Sequence, residues 1–313
     1  MNPWRSKRVF VSVSVIIPTR NQHLVLDQAI NSISRTKSQI LVDTEIIVIN
    51  NQSDEPESLR YLDDLPRTAA TWGLGKVSVI EFNEPFNFSK MNNEAVKKAD
   101  GDTLVFLNND VEVISHDWLD QLVNEVTKTD VGCAGSLLFY PNETVQHAGV
   151  IMGMGTIAGH AYVGLPRNAV TEHPYFQQNR LCTALTGACL SIRREVFDHV
   201  GGFEQSLAVA FNDVDLCLKV QRAGYKNVFL PSVHLYHHES LSRGRIKKST
   251  SAKKRHRQEI RYMQRIWGNA VLTDPYWLRE AGQSPSNKNA CIHITRRRWR
   301  KPQTTEFRHK DVA

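Results

Sequence analysis

The chain has 313 residues, 41% hydrophobic and 23% charged, with a formal net charge of +7, a composition that supports a sizeable core and excludes a disordered or fibrous chain. Its five cysteines are odd in number and lack metal-type spacing, which argues against a disulfide framework or a zinc module and for a reducing compartment. The charge is uneven: residues 1–242 carry 20 Lys and Arg against 27 Asp and Glu, whereas residues 243–313 carry 19 against 5.

Ser12 to Ile17 is an apolar run of strand length that ends in the polar turn Pro18-Thr19-Arg20-Asn21. Leu24, Leu26, Ile30 and Ile33 then mark an amphipathic helix. The same design recurs where Glu45 to Ile49 delivers Asn50-Asn51-Gln52-Ser53-Asp54, and where Val77 to Phe82 delivers Asn83-Glu84-Pro85. A helical pattern from Phe88 to Ala99 carries Met91, Ala95, Val96 and Ala99. Asp102 to Leu107 is a further continuous apolar run, as expected of a strand covered on both faces, and it ends in Asn108-Asn109-Asp110. Strands alternating with helices predict an α/β fold with a doubly wound, mostly parallel sheet, and ligands in such sheets bind at the carboxyl ends of the strands.

Trp118 starts another helical pattern and reads as core. Gln146-His147-Ala148-Gly149-Val150 and Ala158-Gly159-His160 suit packing turns and hairpins, and Thr186-Gly187-Ala188 precedes the strand-like Cys189 to Ile192. In Phe211-Asn212-Asp213-Val214-Asp215-Leu216 a helix begins, with Val214, Cys217, Leu218 and Val220 apolar and Gly224 at its C-terminal cap. Asn212 and Asp215 have the spacing of a capping pair, with Asp213 favoured by the helix dipole; the alternative is that these carboxylates do chemistry. Val233 to Tyr236 is strand-like and leads into His237-His238 and the polar turn Ser242-Arg243-Gly244. Arg257 to Trp267 places Ile260, Met263 and Trp267 on one helical face, while Arg296-Arg297-Arg298-Trp299-Arg300-Lys301 has no core-forming pattern.

Taken together, Val15-Ile16-Ile17-Pro18-Thr19-Arg20-Asn21, Val48-Ile49-Asn50-Asn51-Gln52-Ser53, Leu107-Asn108-Asn109-Asp110, Gly201-Gly202-Phe203-Glu204, Asn212-Asp213-Val214-Asp215-Leu216 and His237-His238-Glu239-Ser240 follow the order of glycosyltransferase family 2. The chain resembles the inverting, GT-A-fold members, closest to bacterial rhamnosyltransferase-like and O-antigen or capsule enzymes. The resemblance covers residues 12–245 as one GT-A domain and leaves 246–313 as a basic helical extension and tail. It implies a nucleotide-sugar pocket lined by Pro18, Thr19, Arg20, Asn50, Asn51, Ser53, Asn93, Asn108, Asn109 and Arg243. It makes Asp110, as the last Asp of a DXD motif, and His237 the neighbours of a Mg²⁺ or Mn²⁺ ion. It makes Asp213 the base that deprotonates the acceptor hydroxyl, with Asp215 as its support, and it places Gln146-His147-Ala148-Gly149-Val150, Ala158-Gly159-His160 and Thr186-Gly187-Ala188 on the acceptor and sugar side of the cleft. Three departures stand out: Asn50 where the common pattern has Asp, Asp54-Glu55 in place of a Thr-Asp pair, and Asn108 at the first position of the DXD motif.

The expected reaction is therefore transfer from a nucleoside-diphosphate sugar, dTDP-rhamnose or a UDP-hexose, to a hydroxyl of a cell-surface glycan or lipid-linked saccharide. No apolar run is long enough to span a bilayer, and Met1 to Arg8 leads into the first strand without a secretory pattern. A cytoplasmic enzyme is expected, in peripheral contact with an anionic inner membrane face through its basic tail. Two other classes compete. Nucleic-acid binding, suggested by the basic tail with Trp267, Trp277 and Trp299, is opposed by the acidic balance of residues 1–242. A nucleotidyltransferase would want a Gly-rich phosphate loop, which Pro18-Thr19-Arg20-Asn21 lacks.

Overall fold

The computed structural model describes residues 12–36, 38–40, 44–238 and 249–280. The chain divides into two compact units, Met1–Trp277 and Leu278–Ala313, and the architecture below is that of the first. Its strands are β1 (Val13–Thr19), β2 (Thr44–Asn50), β3 (Val77–Glu81), β4 (Thr103–Leu107), β5 (Val111–Val113), β6 (Val131–Phe139), β7 (Val145–His147), β8 (Val150–Met152), β9 (Ala158–His160), β10 (Arg180–Cys182), β11 (Cys189–Arg193) and β12 (Lys226–His237). The helices that pack on them are α1 (His23–Ser34), α2 (Pro56–Thr71), α3 (Phe88–Val96), α4 (Trp118–Val126), a short α5 (Arg167–Val170), α6 (Arg194–His199), α7 (Asn212–Arg222) and α8 (Thr250–Trp267).

The main sheet runs β10-β12-β6-β11-β4-β1-β2-β3. The pairs β4–β1, β1–β2 and β2–β3 are parallel. β11 is antiparallel to both β4 and β6, so β6 points the same way as β4, and β12 is parallel to β6. The carboxyl ends of β1, β2, β4 and β12 therefore lie on one edge, although β4 and β12 are separated by two strands. This is the doubly wound, mostly parallel α/β architecture expected from the sequence.

Strand alternation explains how one sheet feeds two layers. Val13, Val15 and Ile17 of β1 pack with Leu26 and Ile30 of α1, Leu62 and Leu65 of α2 and Trp118 and Leu122 of α4. Ile16, between them, faces Met91 and Ala95 of α3, Phe197 of α6 and Leu216 of α7. Near the amino ends, buried Glu45 accepts from Ser14 Oγ (2.6 Å) and from the Asp100 backbone N–H (2.5 Å), tying β1 and β2 to the turn that enters β4.

Two features escape the sequence reading for physical reasons. α2 contains Pro66 in its interior, a residue that normally ends a helix because it lacks the N–H donor. β6 is nine residues long and buried throughout, but its Gly132, Ala134, Gly135 and Ser136 dilute the apolar signal. The helix expected over Arg257–Trp267 begins earlier, at Thr250, where Ser249 Oγ accepts from Ala252 N–H as an N-cap.

Candidate active site

A cleft of about 600 Å³ opens along the shared strand edge. Pro18, Thr19 and Arg20 enter it at the end of β1, Asn51 after β2, and Asn108, Asn109 and Asp110 after β4. Gly187, Asp213, His160 and His237 also line it.

One wall of the cleft is built by two interlocked turns. Asn21 and Gln22 adopt left-handed φ values of 51° and 56°, and Asn21 holds that strained turn by bridging to the loop after β2. Its backbone N–H donates to Ser53 Oγ (2.8 Å), and its carboxamide accepts from the Asp54 and Glu55 N–H groups while donating to Asp54 (2.7 Å). Thr19 is buried and receives a bond from Asn109 Nδ2 (2.9 Å). Asn51 spends its amide on the carbonyls of Phe82 and Glu84, which leaves its buried Oδ1 an acceptor with no partner among the described residues.

Three residues expected in the pocket stand behind it instead. Asn50 is buried, donating to the Glu81 carboxylate (3.0 Å) and accepting from Ser53 N–H. Ser53 serves Asn21. Asn93 accepts from Phe203 N–H (3.0 Å) and donates to Phe203 O (2.8 Å), holding the Gly201-Gly202-Phe203 turn onto α3. Arg243 lies outside the described residues.

At the tip of β4, Asp110 Oδ1 lies 3.1 Å from His237 Nε2. His237 Nδ1 is 2.7 Å from Gln146 Oε1, and the Gln146 amide nitrogen reaches the His237 carbonyl. An amide oxygen can only accept, so Nδ1 carries the proton and Nε2 turns its lone pair toward Asp110 and the Asn108 amide nitrogen, 3.2 Å away. A carboxylate facing an imidazole lone pair is an arrangement that a shared cation relieves. Among the described residues no group of three or more His, Cys, Asp or Glu is placed to hold a metal ion. Asp110 and His237 thus fit an ion that takes the rest of its shell from phosphate and water. His238 is turned away, to Glu112 at 3.3 Å, while its backbone N–H donates to the Asp110 carbonyl.

Asp213 stands at the first turn of α7, and its carboxylate accepts from Gly187 N–H (2.9 Å) and Val214 N–H (2.8 Å). Gly187 could not be larger without crowding, since a Cβ there would meet Phe88 Cζ at 3.3 Å and Asp213 Cβ at 3.6 Å. The next residue, Ala188, accepts from Asn108 N–H (3.0 Å). Two consecutive residues therefore couple the carboxylate on α7 to the acidic tip of β4.

The capping role open to Asp215 is not realised. Its fully buried carboxylate takes the Trp267 indole N–H (2.9 Å) and pairs with Lys219 Nζ at 3.0 Å. Glu259 of α8, also buried, accepts from the N–H groups of Val209 and Ala210, just before Phe211, whose φ is 64°. Nothing in local spacing announces Trp267 or Glu259, because both act across about 50 residues of chain.

The model of "Glycosyl transferase family 2" matches residues 14–201, more than half of the chain. The chain belongs to glycosyl transferase family 2. A second model, "Glycosyl transferase family group 2", matches residues 112–299. Among family relatives, the "Uncharacterized protein y4gI" of Sinorhizobium fredii is 42% identical over 84% of this chain and 28% of its own length. The "O-antigen biosynthesis protein RfbC" of Myxococcus xanthus is 35% identical over 74% of the chain and 18% of its own length. The chain thus spans less than a third of either relative. An "N-acetylglucosaminyl-diphospho-decaprenol L-rhamnosyltransferase" of Mycobacterium tuberculosis is 33% identical over 34% of the chain and 35% of its own length.

The fold is shared with GalNAc-T7 solved with UDP, GalNAc and Mn²⁺ (TM-score 0.63, 18% identity, 82% of this chain and 49% of that one). It is shared also with the mannosyltransferase PcManGT of Pyrobaculum calidifontis in complex with GDP-Man and Mn²⁺ (TM-score 0.56, 16% identity, 94% and 82%). The family 2 fold is therefore the GT-A fold expected from the motifs.

Proposed function

We propose that the chain is an inverting glycosyltransferase that moves a sugar from a nucleoside-diphosphate donor to a hydroxyl of a cell-surface glycan or lipid-linked saccharide. The observation that carries this reading is the Gly187-Ala188 link, which sets the Asp213 carboxylate and the Asn108–Asp110 tip in one cleft. Inversion needs a base for the incoming hydroxyl on one side of the sugar and charge neutralisation for the departing diphosphate on the other.

Asp213 is the base in this account. Two backbone N–H groups orient its carboxylate, and a positioned general base contributes ~10²- to 10⁴-fold. Asp215 is a positioning residue that reaches the site through the start of α7. Asp110 and His237 would hold Mg²⁺ or Mn²⁺, which neutralises charge on the leaving diphosphate when bound. Arg20, half-exposed at the cleft and 4.0 Å from Asp54, supplies a further cation. Asn51 Oδ1, able only to accept, meets a donor N–H of the base or a ribose hydroxyl.

Support for a rhamnosyl donor comes from the rhamnosyltransferase relative and for a surface-glycan acceptor from the O-antigen biosynthesis relative; the neighbours bound to UDP and GDP-Man support a nucleotide sugar more generally. Among the described residues no helix is long and apolar enough to cross a membrane. A lipid-linked acceptor would then be met at the surface, and the basic stretch Arg296–Lys301 assigned to that contact lies outside the described residues. The test is nucleoside-diphosphate release across dTDP-, UDP- and GDP-sugars with Mg²⁺ or Mn²⁺, with the anomeric configuration of the product read by NMR. One donor should give transfer with inversion, and a retained configuration would remove the single-displacement scheme.

A further inference from the structure

Arg255, in the second turn of α8, lines the cleft together with Val209, Phe211 and Asp213. Its place there follows from what the helix packs against. One turn further on, buried Glu259 accepts from the N–H groups of Val209 and Ala210, and the His256 ring stacks on that of Phe211 at 5.7 Å and 26°. Both contacts fall on the segment that runs directly into Asp213, so Arg255 enters from the side of the proposed base. Asp110 and His237, the proposed metal neighbours, come instead from the ends of β4 and β12.

The charges that line the cleft are unevenly answered. Arg20 lies 4.0 Å from Asp54, Asp213 accepts two backbone N–H groups, and Asp110 faces His237. The Arg255 side chain is exposed and has no ion pair or hydrogen bond among the described residues. Lys253, Lys254, Arg257 and Arg261, on the outward side of the same helix, are likewise exposed and unpaired among the described residues, and the one acid of α8 is the buried Glu259. The helix is thus a strip of positive charge that ends at the cleft, and it draws an anion toward Asp213. A neutral sugar offers a guanidinium no counter-charge, whereas a phosphate ester matches its planar fork. We propose, resting on the transferase reading, that Arg255 binds a phosphate or diphosphate group of the acceptor, seated near the hydroxyl that Asp213 deprotonates. The donor brings a diphosphate too, but that group belongs at the Asp110–His237 end of the cleft. The acceptor class therefore narrows to saccharides that carry phosphate close to the attacked hydroxyl, and a neutral glycan end lacks the anchor.

The test uses the full chain and octyl diphosphate as the anion probe, titrated by calorimetry with Mn²⁺ and a saturating nucleoside diphosphate present to keep the probe out of the donor position. Wild type should bind the probe, and Arg255→Gln should bind it about ten-fold or more weakly, as expected for one lost charge-assisted contact. Arg255→Lys, which keeps the charge without the fork, should recover part of the loss. Octanol, the same chain without the anion, should not distinguish the three proteins, and their melting temperatures should agree because the side chain is exposed. In turnover, Arg255→Gln should raise KM about ten-fold for an acceptor with an alkyl diphosphate aglycone, with kcat near wild type, and leave KM unchanged for the matched neutral alkyl glycoside. No binding of the probe by wild type, or equal affinity in Arg255→Gln, overturns the proposal. A loss of nucleoside-diphosphate affinity in Arg255→Gln as large as that of the probe overturns it as well, by assigning Arg255 to the donor. The titration needs no turnover, so these results condemn this inference alone. The expected titration without transfer from any donor would instead leave a bare anion site and remove the acceptor role together with the transferase reading.

Discussion

The indole N–H of Trp267 donates to Asp215 Oδ1 at 2.9 Å, although the two residues are 52 positions apart and belong to different helices. The bond fastens α8 to the helix whose first turn carries Asp213. Met263, fully buried, and Glu259, which accepts from Val209 and Ala210, fasten the same helix to the loop in front of it. The basic segment after residue 246 thus begins with a support of the candidate site.

Trp267→Phe keeps the ring and removes the donor. Hydrogen bonds to charged groups contribute about 1.5–3 kcal/mol. The variant should unfold in urea with a midpoint lowered correspondingly, and its kcat should fall further than its donor affinity. An unchanged midpoint and kcat would mean that Lys219 alone holds Asp215.

A chain ended at residue 245 lacks Glu259, Met263 and Trp267. If the boundary suggested by the family resemblance marked a self-sufficient domain, this fragment would fold and turn over as the full chain does. The buried contacts of α8 predict a fragment that loses near-UV circular dichroism and transfer activity. A fragment ended at residue 280 should keep both.

Chelation should abolish transfer, with Mn²⁺ or Mg²⁺ restoring it. Asp110→Ala should erase the metal-dependent part of nucleoside-diphosphate binding measured by calorimetry, because the diphosphate loses its bridge to the protein. Gln146→Leu should weaken metal dependence about ten-fold or more, since it removes the acceptor that fixes the His237 tautomer. Full activity in chelator would transfer the neutralising role to Arg20 and other cations.

Stability should fall on acidification in a window set by histidines. Burial lowers the pKa of His147 well below its ordinary value, and that of His234 as well. Both bind a proton less readily in the folded chain than in the unfolded one, which takes up protons below about pH 6.5. The unfolded state then holds more protons, so stability is complete above about pH 6.5 and declines below it, by up to about 1.4 kcal/mol per pH unit for each such ring. His147→Phe should flatten the fall of Tm between pH 6.5 and 5. An equal slope in the variant would place the acid sensitivity elsewhere.

The sheet was readable because its strands end in contrast: Ile17 to Pro18-Thr19, Ile49 to Asn50 and Leu107 to Asn108 each step from buried apolar to turn-forming or polar residues. The tips of β1 and β4 line the cleft, and so do Asp213 and His237. What lay out of reach were roles set by distant partners. Asn50, Ser53 and Asn93 have the composition of ligand groups but spend their bonds on Glu81, Asn21 and Phe203. Gln146 and His160 sit in a Gly-containing stretch whose register is fixed only when β6 pairs with β7 and β8 with β9. Trp267 could be assigned to the buried face of a helix, but not to the carboxylate it meets there.

The central claim is that Asp213 removes the acceptor proton. The most direct measurement is single-turnover transfer by Asp213→Asn at saturating donor, beside donor affinity from calorimetry. The substitution keeps the size of the side chain and one acceptor oxygen for Gly187 N–H. Loss of a general base acts on the transition state, so the rate should drop ~10²-fold or more with donor affinity within about two-fold of wild type. A near-wild-type rate would return Asp213 to a structural role at the start of α7 and contradict the account.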